Sequence, residues 1–147
     1  MNEIILTLGS NKNRQNNIRK AQKLLRNLLP DIAFTKTIKT DAISASAIGS
    51  NMQLPFFYNC MAKATTHLSL TALQRQLKDI ETAMGDSHES HRKGIIIIDI
   101  DLLAYGSQRL KTDDWQRPYI KKLSNRLFTR ADSHSQTTEA PDLSQSQ

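Results

Sequence analysis

The 147-residue chain has little of three things, and each shortage closes off a class of protein. It carries a single cysteine, Cys60, so no internal disulfide can form and a reducing, cytoplasmic setting is expected. It has no stretch of 18 apolar residues and no leader of the signal type, so nothing argues for a membrane span or for export. Aromatic residues make up 5% of the chain and do not alternate with basic ones, as a sheet that binds single-stranded nucleic acid requires. Nucleic acid is therefore not an expected partner. The 20 Lys and Arg against 14 Asp and Glu leave a net charge of +6, which favours anionic partners such as nucleotides, nucleic acid or acidic lipid. The length suits one domain with a proper core.

What the chain does have is an apolar run broken by acids. From Ile95 to Gly106 it reads IIIIDIDLLAYG, in which only Asp99 and Asp101 are charged. A β-branched aliphatic run predicts a buried strand, and carboxylates in such a strand need a partner to offset their desolvation. Residues two apart on a strand share a face about 7 Å apart, so both acids can reach one pocket. Oxygen pairs of this kind suit Mg²⁺, which takes one or two carboxylates and completes its shell with water and phosphate oxygens. The alternative from the acids alone is a strand that ends at Asp99, leaving them in solvent.

The remaining elements follow from periodicity and caps. Glu3 to Leu8 predicts a strand closed by Gly9-Ser10-Asn11, and Asn13 to Leu29 a helix limited by Pro30. Ala33 to Thr40 alternates as one half-exposed strand, and Phe57 to Thr66 as another. Asp41 to Pro55 lacks a period and reads as a long loop. Ser69 is a cap for a second helix with Leu70, Leu73, Leu77, Ile80 and Met84 on one stripe, stopped by Gly85. Asp86 to Gly94 reads as a polar loop leading into the Ile-rich strand. His88, Glu89 and His91 within it are expected to be solvated rather than bound to zinc, for want of a further well-spaced ligand. A short helix near Tyr119 to Ser124 precedes a polar tail from Thr129, expected to be disordered, so the domain is drawn over residues 1–128 with a tail over 129–147. Strand, helix, strand, strand, helix, strand is the α+β, ferredoxin-like βαββαβ order: an antiparallel four-stranded sheet with two helices on one face.

Together these motifs resemble the 6-hydroxymethyl-7,8-dihydropterin pyrophosphokinase family of the folate pathway. The signposts are LTLGSN at Leu6 to Asn11, FYN at Phe57 to Asn59, LSLTAL at Leu68 to Leu73, IETAMG at Ile80 to Gly85 and IDIDLLAYG at Ile98 to Gly106. The resemblance implies transfer of pyrophosphate from ATP, as co-substrate, to the hydroxymethyl group of a reduced pterin, with release of AMP. It also implies a pair of Mg²⁺ ions on Asp99 and Asp101 that neutralise charge while the protein positions the reactants. Asn59 matches an asparagine that reads the polar edge of the pterin and Phe128 an aromatic residue that stacks on it. Phe57 stands at a family tyrosine and Thr40 at a threonine by the mouth of the first loop. For the nucleotide, Arg92 matches a loop arginine that also joins the catalytic set, and Lys78 falls at a usual glutamine. Tyr119 follows Pro118 at a Pro-His pair, and Arg126 lies one residue from a family arginine. The loops at Asp41 to Pro55 and Asp86 to Gly94 coincide with mobile segments that cover the substrates. The expected partners are ATP and the pterin, on a monomer. Read without the family, Phe57 and Phe128 also suit a core, and Asn59 a turn.

The chain departs from the family at several positions. Asp86 and His88 stand where arginines follow the glycine of the second helix, and Thr40 is followed by Asp41 rather than proline. Lys93 stands at a tryptophan and Ile96 at a phosphate-contacting arginine. Losing charge-assisted contacts to a transferring phosphoryl group costs transition-state stabilisation. The alternative to a working enzyme is thus a catalytically weakened or inactive relative that binds nucleotide or pterin.

Overall fold

The computed structural model describes residues 1–41 and 56–134, with side chains as far as Leu127. Its sheet is built round β1 (Asn2–Ser10), which is buried along most of its length because it has a strand on each side and helices on both faces. β4 (Phe56–Thr66) and β5 (Asp99–Tyr105) flank it, both antiparallel to it. β2 (Ala33–Phe34) and β3 (Ile38–Asp41) follow one another along the outer edge of β4, and β6 (Gln108–Arg109) forms a short hairpin with β5. Among the described residues the six strands therefore keep the antiparallel, ferredoxin-like order, with one expected strand divided and one hairpin strand added.

The division has a local cause. The strand expected over Ala33 to Thr40 breaks after Phe34, and Thr35 bridges the gap to β4 with both backbone and side chain. Its N–H donates to the Met61 carbonyl at 2.8 Å, and its hydroxyl accepts the Met61 N–H at 2.9 Å. The hydroxyl stands in for a ladder carbonyl, so the edge keeps its hydrogen bonds while the chain bends.

Alternation along the strands sends apolar side chains to both faces. Ile4, Leu6, Leu8, Cys60, Ala62, Ala64, Ile100 and Leu102 join one core with α1 (Arg14–Leu28) and α2 (Leu70–Ala83). Those helices present Ile18, Ala21 and Leu25, and Leu73 and Leu77, at the three- and four-residue spacing of a helix face. Ser69 caps α2 by accepting the Ala72 N–H at 3.1 Å, and Gly85 closes it in a left-handed conformation at φ 96°. Ile5, Met61, Leu103 and Ala104 point the other way and meet Trp115, Ile120, Leu123 and Leu127. These belong to a 3₁₀ turn at Asp114–Gln116 and to α4 (Pro118–His134). The helices are thus not confined to one face. The short helix expected near Tyr119 to Ser124 runs for 17 residues, opening on Pro118 and passing the expected boundary at residue 128. Residues 42–55, where most of the first expected loop falls, and residues 135–147 of the expected tail lie outside the described residues.

Two further expectations are corrected around the Ile-rich run. Asp86 to Gly94 is not all loop: α3 (His88–Arg92) forms within it, held by a reciprocal capping box between Ser87 and Ser90. Ile95 to Ile98 is not strand, and β5 begins only at Asp99. The run has no ladder, and apart from backbone bonds from Asn11 N–H to the Ile96 carbonyl and from Ile95 N–H to the Ser90 carbonyl its amides are held by side chains. Asn11 Oδ1 accepts the Ile96 N–H at 2.8 Å, and Asp86 Oδ1 accepts from Ile97 at 3.0 Å and Ile98 at 3.3 Å.

Candidate active site

The face of the sheet that meets α4 stops being apolar toward one end. Moving along β1 from Ile5, the next residues on that face are Thr7 and Gly9; Thr7 still has Met61 on its β4 side, but every other cross-strand neighbour is polar. Gly9 lies opposite Asn59 of β4 on one side and Asp99 of β5 on the other, while Thr7 lies opposite Asp101. Two strand spacings separate Asn59 from Asp99, about 10 Å. Glycine is required between them by contact: a Cβ at Gly9 would sit 2.7 Å from Asn59 Nδ2 and 3.7 Å from the Phe57 ring. The bare backbone at Gly9 leaves room for the amide of Asn59 and the ring of Phe57 to lie over the sheet.

The Asn59 side chain is 6% exposed and oriented from two directions. Its Oδ1 accepts the Thr40 hydroxyl at 2.5 Å, and its Nδ2 donates to the Leu8 carbonyl at 3.3 Å. One N–H and one lone pair of the amide are left for a ligand, a donor and an acceptor side by side. The Leu8 carbonyl, an acceptor only, sets which way this amide points, and the Thr40 hydroxyl, on β3 opposite Phe57, holds its oxygen in place.

Asp99 and Asp101 share the same face, with Ile100 between them turned into the core beneath α2. Burial pushes the Asp99 carboxyl up to about 7, with the charges of Asp101 and then Glu81 adding to the rise and Lys111 opposing it. Lys111 Nζ lies 3.5 Å from Asp101 Oδ1. A divalent cation would relieve the mutual repulsion more fully than one lysine does, so the pair fits Mg²⁺ on the chemistry of its donors. Among the described residues no group of three His, Cys, Asp or Glu could hold a metal ion, so a cation at these acids would take its other ligands from water or substrate. His91 has its Nε2 2.6 Å from Asp86 Oδ2.

Thr40, Phe57, Asn59, Asp99 and Asp101 thus lie on one face of three adjoining strands and the short edge strand β3. Tyr119, near the start of α4, packs against the apolar part of that face. Burial pushes its phenol up, with Arg117 opposing and Asp114 and Asp101 adding to the rise. Lys78 is on α2 beneath the sheet, its ammonium 3.3 Å from Glu81. Arg92 on α3 and Arg126 on α4 are exposed, and among the described residues neither is ion-paired to Asp99 or Asp101. The Phe128 side chain lies outside the described residues.

Three contributors carried no local signal of their role in the sequence. Glu81 is buried in α2, and its Oε2 accepts the Ile100 N–H at 2.7 Å. Asn11 donates to Gly94 and accepts from Ile96, fastening the end of β1 to the segment that enters β5. Asp86 holds Ile97 and Ile98 at that same entry. All three sit inside or beside the recognisable motifs, but their partners are backbone groups that no sequence pattern names.

Comparison with known proteins agrees with this arrangement. The family model described as 7,8-dihydro-6-hydroxymethylpterin-pyrophosphokinase (HPPK) matches residues 5–133. A folate synthesis bifunctional protein of Arabidopsis thaliana is 29% identical over 127 residues, covering 80% of this chain and 25% of its own length. One from Chlamydia caviae is 32% identical over 127 residues, covering 85% of this chain and 28% of its own. The folic acid synthesis protein FOL1 of Dictyostelium discoideum is 41% identical over 63 residues, covering 43% of this chain and 9% of its own. The chain spans about a quarter of the length of the first two relatives. With a family match over residues 5–133 and a ferredoxin-like sheet within them, the chain belongs to the 7,8-dihydro-6-hydroxymethylpterin-pyrophosphokinase family.

Proposed function

We propose that this chain transfers the terminal pyrophosphoryl group of ATP to the hydroxymethyl oxygen of 6-hydroxymethyl-7,8-dihydropterin and releases AMP. The observation that carries the reading is the row Asn59, Gly9, Asp99 across three strands, which sets an oriented amide and a pair of acids on one face. The free donor and acceptor of Asn59 suit the amide-like edge of a pterin, and Phe57 beside it offers an aromatic surface, with Phe128 in the same role from α4. Asp99 and Asp101 would hold Mg²⁺, a pair of ions on the family pattern. When bound, the metal supplies neutralisation of the phosphate charge and a template for in-line displacement.

The chain's own part is orientation. The Leu8 carbonyl and Thr40 fix Asn59, and Gly9 keeps the floor between pterin and phosphate low enough for the two substrates to meet. Lys111 screens Asp101 until a cation arrives. Arg92, Lys78, Tyr119 and Arg126 are the groups we assign to the nucleotide, the cationic ones among them as phosphate partners. A cytoplasmic, monomeric protein with its active unit in residues 1–128 belongs to this reading.

The test is AMP release from ATP, Mg²⁺ and the hydroxymethyl pterin. Wild type is expected to produce AMP, and Asp99→Ala or Asp101→Ala to lower the rate by about a hundredfold or more, the scale of losing a principal electrostatic stabiliser. Absence of AMP above background at high protein concentration refutes the assignment.

A second reading, a relative that binds without turnover, is favoured by the use made of Asp86. Its carboxylate is spent on Ile97, Ile98 and His91, so this position holds the loop in shape and offers nothing to a phosphate. Calorimetric titration with a non-hydrolysable ATP analogue separates the two: Mg²⁺-dependent binding without AMP release selects the second.

A further inference from the structure

β5 is bonded along one side to β1, but on its other side β6 reaches only Ala104 and Tyr105. Among the described residues the stretch that bears the two acids is therefore an open sheet edge, without a strand to hold its outward amides. Glu81 takes the place of that strand at one point. It comes from α2 beneath the sheet, is 7% exposed, and accepts the Ile100 N–H at 2.7 Å, at the residue between Asp99 and Asp101. Its other oxygen lies 3.3 Å from Lys78 Nζ.

We infer that Glu81 is the positioning residue of the acid pair: by holding the Ile100 amide it fixes the strand between Asp99 and Asp101 and so sets how the two carboxylates face a metal. The inference rests on the reading of those acids as Mg²⁺ ligands. A strand turned by one residue would carry both acids to the opposite face, so the point of restraint with most leverage is the peptide between them. Water could satisfy an exposed edge amide equally well in energy, but it would leave the strand free to shift. A buried carboxylate tied to a helix does not. The Ile100 side chain packs in the same core as α2, so packing and hydrogen bond act on one residue. Glu81 approaches from the face opposite the acids and does not complete a three-ligand cluster with them, which makes it a support for the site and not part of its metal shell.

Glu81→Gln keeps the reach and the acceptor oxygen but removes the charge, whereas Glu81→Asp keeps the charge and withdraws the oxygen by one methylene. Folding of each is checked by thermal melting. Calorimetry measures affinity for a non-hydrolysable ATP analogue with Mg²⁺, and NMR measures hydrogen exchange at the Ile100 amide. The Gln variant is expected to bind within about threefold of wild type, and the Asp variant to lose about tenfold or more, the usual cost of removing a support behind a metal ligand. Ile100 exchange is expected to accelerate in the Asp variant alone. A folded Asp variant with wild-type affinity and wild-type exchange overturns the inference, as does a Gln variant that loses as much as Asp. Should Glu81→Asp fail to fold, the Gln variant decides: retained affinity and protection support the acceptor role, and their loss overturns it. If wild type binds no Mg²⁺-nucleotide, the phosphoryl-transfer reading fails by itself, and the exchange rates alone decide whether Glu81 holds the strand.

Discussion

Asp99 and Asp101 are held near one another on one face, and the ammonium of Lys111 lies 3.5 Å from Asp101 to offset them. Such a pair costs stability in the absence of a cation. Asp99→Asn removes one of the two charges at nearly constant volume, so it should stabilise the metal-free protein at pH 8 by about 1 kcal/mol, the order for two charges several ångströms apart near a solvated surface. The same substitution should abolish any stabilisation by added Mg²⁺. Urea unfolding of both proteins in chelator and in Mg²⁺ checks this, and a variant less stable than wild type in chelator would show that the acids are not in conflict. Cys60 illustrates the opposite kind of buried group, one with no assigned chemistry. Burial pushes its thiol up to about 12, with the hydrogen bond from Gln22 Nε2, at 3.6 Å from the sulfur, opposing. The unfolded chain releases this proton near the ordinary value of 9.0 and the folded chain does not, so the folded state binds more protons between pH 9 and 12. Its contribution is complete below pH 9 and is lost as pH rises through that window. Alkylation of Cys60 at pH 8 should accordingly proceed only as fast as the chain opens, and accelerate in step with denaturant. Rapid labelling without denaturant would contradict its burial.

At the scale of elements, the segment between α2 and β5 is organised by polar side chains. Asp86 accepts from Ile97 and Ile98 and pairs with His91, and Asn11 grips Gly94 and Ile96 from the end of β1. α3 is only five residues long, too short to be stable by its own hydrogen bonds, so it depends on this anchoring. Asp86→Ala leaves two buried or half-buried amides without an acceptor and should cost about 2–4 kcal/mol. Chemical denaturation measures that cost. Exchange at Ile97 and Ile98 is expected to rise further than in β1 or β4, whereas a uniform rise would mean that Asp86 supports the fold as a whole and not this segment.

For the molecule as a whole, the decisive feature is a sheet with a core on each face. Strands β1 and β4 put Ile4, Leu6, Cys60 and Ala62 under α1 and α2, and Ile5 and Met61 under α4. Leu123, fully buried in the second core, tests its weight. Leu123→Ala should destabilise by about 2–5 kcal/mol. A loss in that range, measured by thermal or urea unfolding as one cooperative transition, is what a structural α4 requires, while a loss below about 1 kcal/mol would mark α4 as peripheral.

The sequence by itself determined the strands at β1 and β4, the helices α1 and α2 with the Ser69 cap, and the placement of Asp99 and Asp101 on one face. Each of these rests on a local period or a cap, where the residues that decide the conformation lie within a turn or two of one another. Only the tertiary structure decided that Ile95 to Ile98 is irregular, that the edge strand breaks at Thr35, that α4 covers the second face, and that Asn59 and Asp99 meet across Gly9. The reason is the range of the interactions: Ile96 is bound from 85 residues away by Asn11, and Ile97 from 11 residues away by Asp86. A local pattern of isoleucines predicts a strand because it counts apolar side chains, but the backbone there belongs to whichever side chain reaches its amides first.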